Sequence, residues 1–153
     1  FGNTDGNDIG RREAFDWYAS GVGEGLPFWY KNSGPWWDNA NQQSNDGISL
    51  EEQIKDPNSL YNFYKSTIAL RKSSAALAVG SYEQAANNNP EVFSFFRQYG
   101  KQKVLVAVNL SNQVQTVSFD ANIKKAKALD AKTSKYAEQI SLAPFQFMVW
   151  EVE

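Results

Sequence analysis

The 153-residue sequence contains no cysteine and no histidine. Without these residues, the usual ligand sets of protein zinc sites cannot be assembled. For the same reason, a serine–histidine–aspartate triad and a cysteine–histidine pair are both excluded within the chain. The absence of cysteine also leaves the redox state of its compartment open.

Long apolar runs and an excess of positive charge are missing as well. No stretch approaches the ~20 apolar residues that a transmembrane helix requires, so we predict no membrane span. The formal net charge is −2 and no basic cluster is present, which argues against nucleic acid as a partner. The 42% hydrophobic and 21% charged residues are proportions typical of a folded protein rather than a disordered one.

Aromatic residues are abundant, at 14% of the chain. Their flat apolar rings suit both β-rich packing and sugar-binding surfaces. Residues 1–47 are rich in Gly, Asn, Asp and Trp and show no hydrophobic periodicity. A loop of this length is usually functional or disordered, and its aromatic content predicts an ordered loop packed on another part of the protein. Because the chain opens with Phe1 in this stretch, we expect further sequence upstream.

Helix signals occupy residues 48–77. Ser49-Leu50-Glu51-Glu52 is a capping-box pattern and predicts the start of a short helix. Asp56 and Pro57 predict a second helix, with Asp56 as its cap and Pro57 in its first position. That helix is expected to end near Lys72. One apolar stripe with helical spacing follows the cap: Leu60, Phe63, Tyr64, Thr67, Ile68 and Arg71.

After Leu77 the hydrophobic period becomes two. Two strong strands, at 92–97 and 104–110, flank a predicted hairpin turn at 99–102. Further strands are predicted at 81–84, 115–119, 126–131, 139–142 and 145–152. Several short strands joined by polar turns indicate a small antiparallel sandwich. Its alternating positions predict the following core residues: Phe93, Phe95, Val104, Val106, Val108, Phe145, Phe147 and Val149.

Two motifs resemble those of a known family. Arg12-Glu13-Ala14-Phe15-Asp16-Trp17 resembles the Arg-Glu-Pro-Phe/Met-x-Trp motif after the eighth barrel strand of α-amylase-superfamily enzymes, glycoside hydrolase family 13. Residues 50–53 and 56–72 are similar to the eighth barrel helix of that family, and the strong strands resemble its C-terminal domain. Ala14 departs from the pattern, because the family often has proline there.

The resemblance implies a mixed fold: a long ordered loop and one or two helices from the end of a TIM-type barrel, followed by an all-β antiparallel Greek-key sandwich. Residues 1–77 would be the last barrel loop and helix of an incomplete catalytic domain. Residues 78–153 would be the C-terminal β-sandwich domain. A complete (β/α)8 barrel of ~250 residues does not fit in this chain.

The same resemblance implies the C-terminal portion of a retaining α-glucan-hydrolysing enzyme that acts on starch or maltooligosaccharides. Family members carry their catalytic carboxylates on earlier barrel strands, so we assign no catalytic residue and expect this chain alone to be inactive. The implied partners are the remainder of its own barrel and an α-glucan oligosaccharide. No cofactor is implied within the chain, and any calcium ion is assigned to the rest of the enzyme. A secreted, periplasmic or cell-surface bacterial location is expected.

The candidate substrate-binding residues are Arg12, Trp17, Trp36 and Trp37. In several family members the arginine that matches Arg12 reaches the sugar, while a structural salt bridge is an equal alternative and Arg11 a second candidate. For Trp17, packing within the loop is the preferred interpretation over stacking on sugar. Trp36 and Trp37 are open to two interpretations: a platform at a distal subsite, or an anchor of the loop on the barrel rim.

The acidic residues of the first loop are interpreted as a solvated group and not as a catalytic set or a calcium loop: Asp5, Asp8, Glu13 and Asp16. Ile9 and Asp16 stand where an EF-hand needs an oxygen ligand and a bidentate glutamate, so no metal site is predicted. Two further hypotheses stay open: a non-catalytic starch- or maltooligosaccharide-binding module, and a purely structural domain. A surface starch site on the sandwich would use tyrosine and tryptophan rings: Tyr82, Tyr99, Tyr136 and Trp150.

Overall fold

The computed structural model describes residues 13–27 and 43–153. Its contacts group the chain into two compact units, whose boundary falls between Ser66 and Thr67. The division of the polypeptide into 1–77 and 78–153 stays a prediction. Arg12, Trp36 and Trp37 lie outside the described residues. Within the described part, no helix is long and apolar enough to cross a membrane.

The capping box predicts the first helix correctly. Helix α1 spans Leu50–Lys55 and has Ser49 as its N-cap. The backbone N–H of Glu52 donates to Ser49 Oγ, and the Ser49 N–H donates back to Glu52 Oε2, both at 3.3 Å. Two donors of the first turn are thus satisfied reciprocally, as this motif requires.

The second helix begins later than predicted. Helix α2 spans Leu60–Ser73, so Pro57 is not its first residue. Asp56 instead accepts a bond from Asn58 N–H on its side chain (2.9 Å) and one from Ser59 N–H on its carbonyl (3.1 Å), which closes a turn. Ser59 takes over the cap, because its Oγ accepts from Asn62 N–H at 3.2 Å. A turn therefore separates the aspartate from the helix that it was expected to cap.

Helix α2 carries the predicted apolar stripe on an exposed surface. No residue of this helix is buried. The large apolar members of the stripe have exposed fractions between 40% and 64%: Leu60, Phe63, Tyr64 and Ile68. Arg71, the last residue of the predicted stripe, instead donates two bonds of 2.8 Å to the carbonyls of Leu77 and Ala78. These two carbonyls belong to the last turn of a short helix α3, Ala75–Val79.

Seven strands follow α3, one at each predicted place. They are β1 (Ser81–Gln84), β2 (Val92–Tyr99), β3 (Gln102–Asn109), β4 (Gln115–Val117), β5 (Ala126–Ala128), β6 (Ile140–Leu142) and β7 (Phe147–Val152). One antiparallel sheet has the order β1-β2-β3-β7-β5, and a second pairs β4 with β6. After β3 the chain alternates between the two sheets. The predicted antiparallel sandwich is confirmed, and so is the β2–β3 hairpin, which turns at Gly100 with φ +56°.

The main core fills the space between the two sheets. Strands β2, β3 and β7 contribute one face of the large sheet, and β4 and β6 contribute the facing side. Its largest buried members are Phe96, Leu105, Leu142, Met148 and Trp150. Alternating residues of each strand point to this space, as the pleat of a strand requires.

Six of the eight predicted core residues pack on the opposite face of the large sheet. Val104, Val106 and Val149 are buried there against Ala76 of α3, in a second and smaller core. Phe95, Val108 and Phe147 are partly buried beside them. Strand β3 is apolar on both faces, so the alternation of its residues did not reveal which face carries the main core.

Two of the predicted core residues are exposed, and that prediction was wrong. Phe93 is 42% exposed, because α3 covers only part of its face of the sheet. Phe145 is 68% exposed. It precedes β7 in a turn and has φ +55°, a left-handed conformation that non-glycine residues seldom adopt.

Trp150 was wrongly placed in a surface starch site. Its ring is fully buried, and its Nε1–H donates to Ser134 O at 2.8 Å. Tyr136, another member of that hypothesis, packs edge-on against Trp150 with 5.7 Å between ring centroids. Both rings therefore belong to the packing of the sandwich.

We expect Trp150→Ala to lower the free energy of unfolding of the chain by about 3–5 kcal/mol, the usual cost of emptying a large buried aromatic site. Tyr99→Ala, at an exposed ring of the same sandwich, should change it by less than about 0.5 kcal/mol. Urea unfolding followed by circular dichroism measures both variants. Equal effects of the two substitutions would contradict the burial of Trp150.

Candidate functional site

The loop that carries the Glu13-to-Trp17 part of the motif is attached to the start of helix α1. The Leu50 N–H donates to Asp16 O at 2.8 Å, and the Glu51 N–H donates to Trp17 O at 3.1 Å. The first N–H groups of a helix have no partner within the helix. Here they bind the loop backbone, so the helix start fixes the position of residues 16 and 17.

Side chains and a second loop segment extend this attachment. The Ala19 N–H donates to Glu51 Oε2 at 3.1 Å. The Asn45 N–H donates to Ala19 O at 2.7 Å, and Ser44 Oγ donates to Ser20 O at 2.9 Å. The described part of the loop therefore has a defined shape without helix or strand, as predicted for an ordered loop.

Two aromatic rings of the motif lie side by side on this loop. The centroids of Phe15 and Trp17 are 4.6 Å apart and their planes are inclined by 56°. Both rings are exposed. Aromatic rings favour such tilted contacts. The exposed sides of the two rings form a small apolar surface. Trp17 is 49% exposed, and the choice between loop packing and stacking on sugar stays a prediction.

The pKa values of three carboxylates, one on the loop and two on helix α1, are shifted in opposite directions. Burial raises the pKa of Asp16, and the charges of Asp46 and Glu52 raise it further. Its Oδ1 is buried without a hydrogen-bond partner in residues 13–27 and 43–153. The hydrogen bond from the Ala19 N–H is the largest influence that lowers the pKa of Glu51. The Ser49 hydroxyl is the main cause that lowers the pKa of Glu52.

The acidic residues do not form a metal centre in the part of the chain that the structure describes. No group of three or more carboxylates there is arranged to hold an ion. Asp5 and Asp8, the other members of the acidic group, precede the described residues. Because Glu51 and Glu52 are engaged with backbone N–H groups and the Ser49 hydroxyl, they hold the loop in place, a role that sequence reasoning limited to a helix cap.

The comparisons with known proteins agree with this architecture. Residues 92–149 match the family model described as the alpha-amylase SusG C-terminal domain. The chain is 30% identical to alpha-amylase 3 of Dictyoglomus thermophilum over 110 residues, which are 70% of this chain and 22% of that protein. It is 29% identical to an oligo-1,6-glucosidase of Bacillus cereus over 112 residues, 69% of this chain and 20% of that protein.

The chain belongs to the α-amylase superfamily, glycoside hydrolase family 13, and matches the C-terminal part of its enzymes. It spans about a fifth of the length of the curated relatives it matches. A trehalulose synthase mutant structure superposes on it with a TM-score of 0.68 and 25% identity, over 91% of this chain and 25% of that one. The trehalose-6-phosphate hydrolase of Bacillus licheniformis has a TM-score of 0.67 at 24% identity, over 93% of this chain and 26% of that one.

Membership of the superfamily does not assign a role to individual residues, so the substrate-binding roles stay predictions. The bond from the Glu51 N–H to Trp17 O fixes the backbone position of Trp17 at the start of helix α1. Arg12, Trp36 and Trp37 lie outside the described residues, so their place in a substrate site stays a prediction.

We predict that acid loosens the loop through Glu51. Its pKa is lowered from the ordinary 4.5 in the folded chain, so its bond to the Ala19 N–H stabilises the loop above that value. The stabilisation is lost as the pH falls through the lower, folded pKa. Hydrogen exchange at Ala19 should therefore lose protection severalfold on acidification.

Glu51→Gln is the matched test, because it removes the charge and keeps the shape. In that variant the protection of the Ala19 N–H should be lower at neutral pH and should change less with pH. Lys55→Gln serves as control, since it removes only the exposed 3.4 Å ion pair with Glu51. An unchanged pH profile in Glu51→Gln would show that Glu51 does not hold the loop.

Proposed function

We propose that this chain is the C-terminal portion of a retaining α-glucan-hydrolysing enzyme that acts on starch or maltooligosaccharides. In this proposal the sandwich and helix α2 support the catalytic barrel, and residues 12–17 line the active site. The catalytic carboxylates are supplied by the earlier part of the barrel. The names of the relatives, alpha-amylase and oligo-1,6-glucosidase, support the choice of an α-glucan substrate.

The exposed stripe of helix α2 is the observation that carries the proposal. A surface helix normally turns its apolar side toward a core, whereas Leu60, Tyr64 and Ile68 are at least half exposed. Large contiguous apolar surfaces on soluble proteins usually mark an interaction site. The barrel wall is the partner that the eighth-helix motif implies for this side of α2.

Retaining chemistry requires two carboxyl groups about 5 Å apart across the scissile bond. Asp16 is the acidic residue of the motif with a raised pKa, and the charges of Asp46 and Glu52 contribute to that rise. Glu52 already accepts bonds from the Ser49 hydroxyl (2.6 Å) and the Gly47 N–H (3.0 Å). The carboxylate of Glu52 is therefore used to hold the loop and the helix start together. This supports the proposal that the chain assists catalysis and does not perform it.

The interface can be tested in the protein encoded by the full reading frame. Leu60→Ser with Tyr64→Ser should lower its thermal stability and its release of reducing sugar from soluble starch. Each substitution at a site buried by the barrel should cost about 2–5 kcal/mol. The 153-residue chain assayed alone should release no sugar, since it has no catalytic pair.

Val114→Ser with Tyr99→Ser is the matched control, because both residues are similarly exposed on the sandwich. It should leave stability and activity close to wild type. The proposed barrel interface is contradicted if the two double variants have the same thermal stability and the same activity. Starch hydrolysis by the 153-residue chain itself would overturn the proposed division of roles.

Arg12 is proposed to hydrogen-bond the sugar at the cleavage site. A guanidinium offers five donors in a rigid fork, which suits neighbouring hydroxyls or a carboxylate. Trp17, Trp36 and Trp37 are proposed to line the same cleft, and the exposure of the Phe15–Trp17 pair supports this for Trp17.

In the full-length enzyme, Arg12→Ala should lower kcat/KM on maltooligosaccharides by about 10²-fold, as removal of one transition-state donor does elsewhere. Arg12→Lys should recover only part of the loss, because lysine lacks the fork. Arg11→Ala is the control with an equal change of charge. A larger loss in Arg11→Ala would move the role to Arg11, and a loss of thermal stability with normal kcat would assign Arg12 to a salt bridge.

A non-catalytic binding module is the alternative that one observation favours. A groove on the sandwich is lined by uncharged residues that include the exposed ring of Phe93, and such a surface would suit a sugar without any barrel. Starch hydrolysis by the full-length protein separates the two, because a binding module would release no reducing sugar.

A further inference from the structure

A groove of about 530 Å³ opens on the sandwich, beside the turn that joins β1 to β2. The turn residues 87–90 form one side, and Gln84, Phe93 and Leu110 contribute to the rest. This volume lies in the range of roughly 300–1,000 Å³ that is usual for small-molecule sites. All residues that line the groove belong to the second unit.

The lining of the groove is neutral. None of its nine residues carries a charge, so it offers no complementary group to a phosphate, a carboxylate or an ammonium ion. Amide side chains and apolar carbon share the surface instead. Such a surface favours an uncharged ligand that combines apolar faces with many hydroxyl groups, as a sugar does.

The turn is held rigidly by its own amides. Asn87 Nδ2 donates to Val92 O at 3.0 Å and to Ser94 Oγ at 2.7 Å. Asn89 Nδ2 donates to Gln115 Oε1 at 2.9 Å and to Thr116 O at 3.0 Å. A groove that is fixed before binding loses little conformational entropy when a ligand enters.

Two amides on the groove keep hydrogen-bonding capacity for a ligand. Asn88 Oδ1 accepts from the Ser118 N–H at 2.8 Å, while its Nδ2 has no partner within residues 13–27 and 43–153. The side-chain amide of Gln84 makes no hydrogen bond with the described residues either. The Phe93 ring, 42% exposed, lies on the same groove and supplies a flat apolar surface.

We propose that this groove binds a neutral oligosaccharide, with a sugar ring stacked on Phe93 and its hydroxyls bonded to Asn88 and Gln84. The choice of an α-1,4-glucan as the ligand rests on the function proposed above. The site would hold a polymeric substrate on the sandwich and would take no part in bond cleavage.

The test is a titration of the ¹⁵N-labelled 153-residue chain with maltoheptaose, followed by NMR. Saturable shifts are expected at residues 84, 88 and 93, with a micromolar-to-millimolar Kd. Phe93→Leu keeps an apolar side chain and should raise Kd about tenfold. Asn88→Ala should raise it by about fivefold, the effect of one hydrogen bond of about 1 kcal/mol.

Tyr99→Ala is the control for an exposed ring outside the groove, and its Kd should equal that of the wild type. Unchanged urea unfolding in Phe93→Leu and Asn88→Ala separates loss of binding from loss of fold. The proposal is overturned if no saturable shift occurs on the sandwich, or if Phe93→Leu and Asn88→Ala both bind with the wild-type Kd.

The same variants in the full-length protein distinguish a sugar site from a surface that the barrel covers. Phe93→Leu should weaken binding to starch granules and leave hydrolysis of maltotriose unchanged. Loss of thermal stability in the full-length protein, with no loss of granule binding, would assign the groove to the barrel interface and overturn the proposal. Because binding is measured without hydrolysis, an inactive full-length protein would contradict the proposed function and not the groove.

Discussion

Strand β3 is buried on both faces, and this constraint determines what must surround it. Leu105 and Ala107 face the small sheet, while Val104 and Val106 face helix α3. A strand with two apolar faces is stable only when each face is covered, since every exposed apolar residue forfeits the free energy of its burial. The small sheet of β4 and β6 meets the first requirement, and α3 meets part of the second.

The position of α3 depends on polar contacts around the same strand pair. Gln102, the first residue of β3, accepts from the Ser74 hydroxyl at 3.0 Å and from the Ala76 N–H at 2.9 Å. The other end of α3 binds Arg71 through two of its carbonyls. Five residues are too few to form a helix alone, so these caps and the valines below them hold α3 in place. A short helix covers only part of the sheet, which explains the exposed ring of Phe93.

The sequence predicted the elements better than it predicted the faces that they bury. Strand positions and the capping box depend on local patterns, and they were correct. The choice between the two faces of β2 depends on what covers each face, which is a tertiary property. Val92 and Phe96 enter the main core while Phe93 does not, although all three are apolar. Trp150 was misplaced for the same reason, because a tryptophan in a terminal strand suits burial and sugar binding equally well.

Helix α2 was correctly predicted as a helix, but its first residue was predicted wrongly. Asp56 and Pro57 are good first-turn residues, yet Asp56 satisfies its carboxylate within a turn before Ser59 caps the helix. Local hydrogen bonds of aspartate compete with the cap in this way wherever a turn is available. The apolar stripe was unaffected, because helical spacing from Leu60 onward does not depend on the cap.

The candidate site could be predicted only in part, because in the proposed enzyme its chemistry would be divided between this chain and the barrel. The Arg12-to-Trp17 motif locates the loop, but no local pattern reveals that Glu51 and the start of α1 hold its backbone. That arrangement depends on a contact across more than thirty residues of sequence. A fold alone does not define an activity, and the role of this loop in lining a cleft belongs to the proposed enzyme. The rigid attachment of the loop to α1 is therefore the contribution that the described residues make to catalysis in the proposed enzyme: it places the motif while other strands supply the reacting carboxylates.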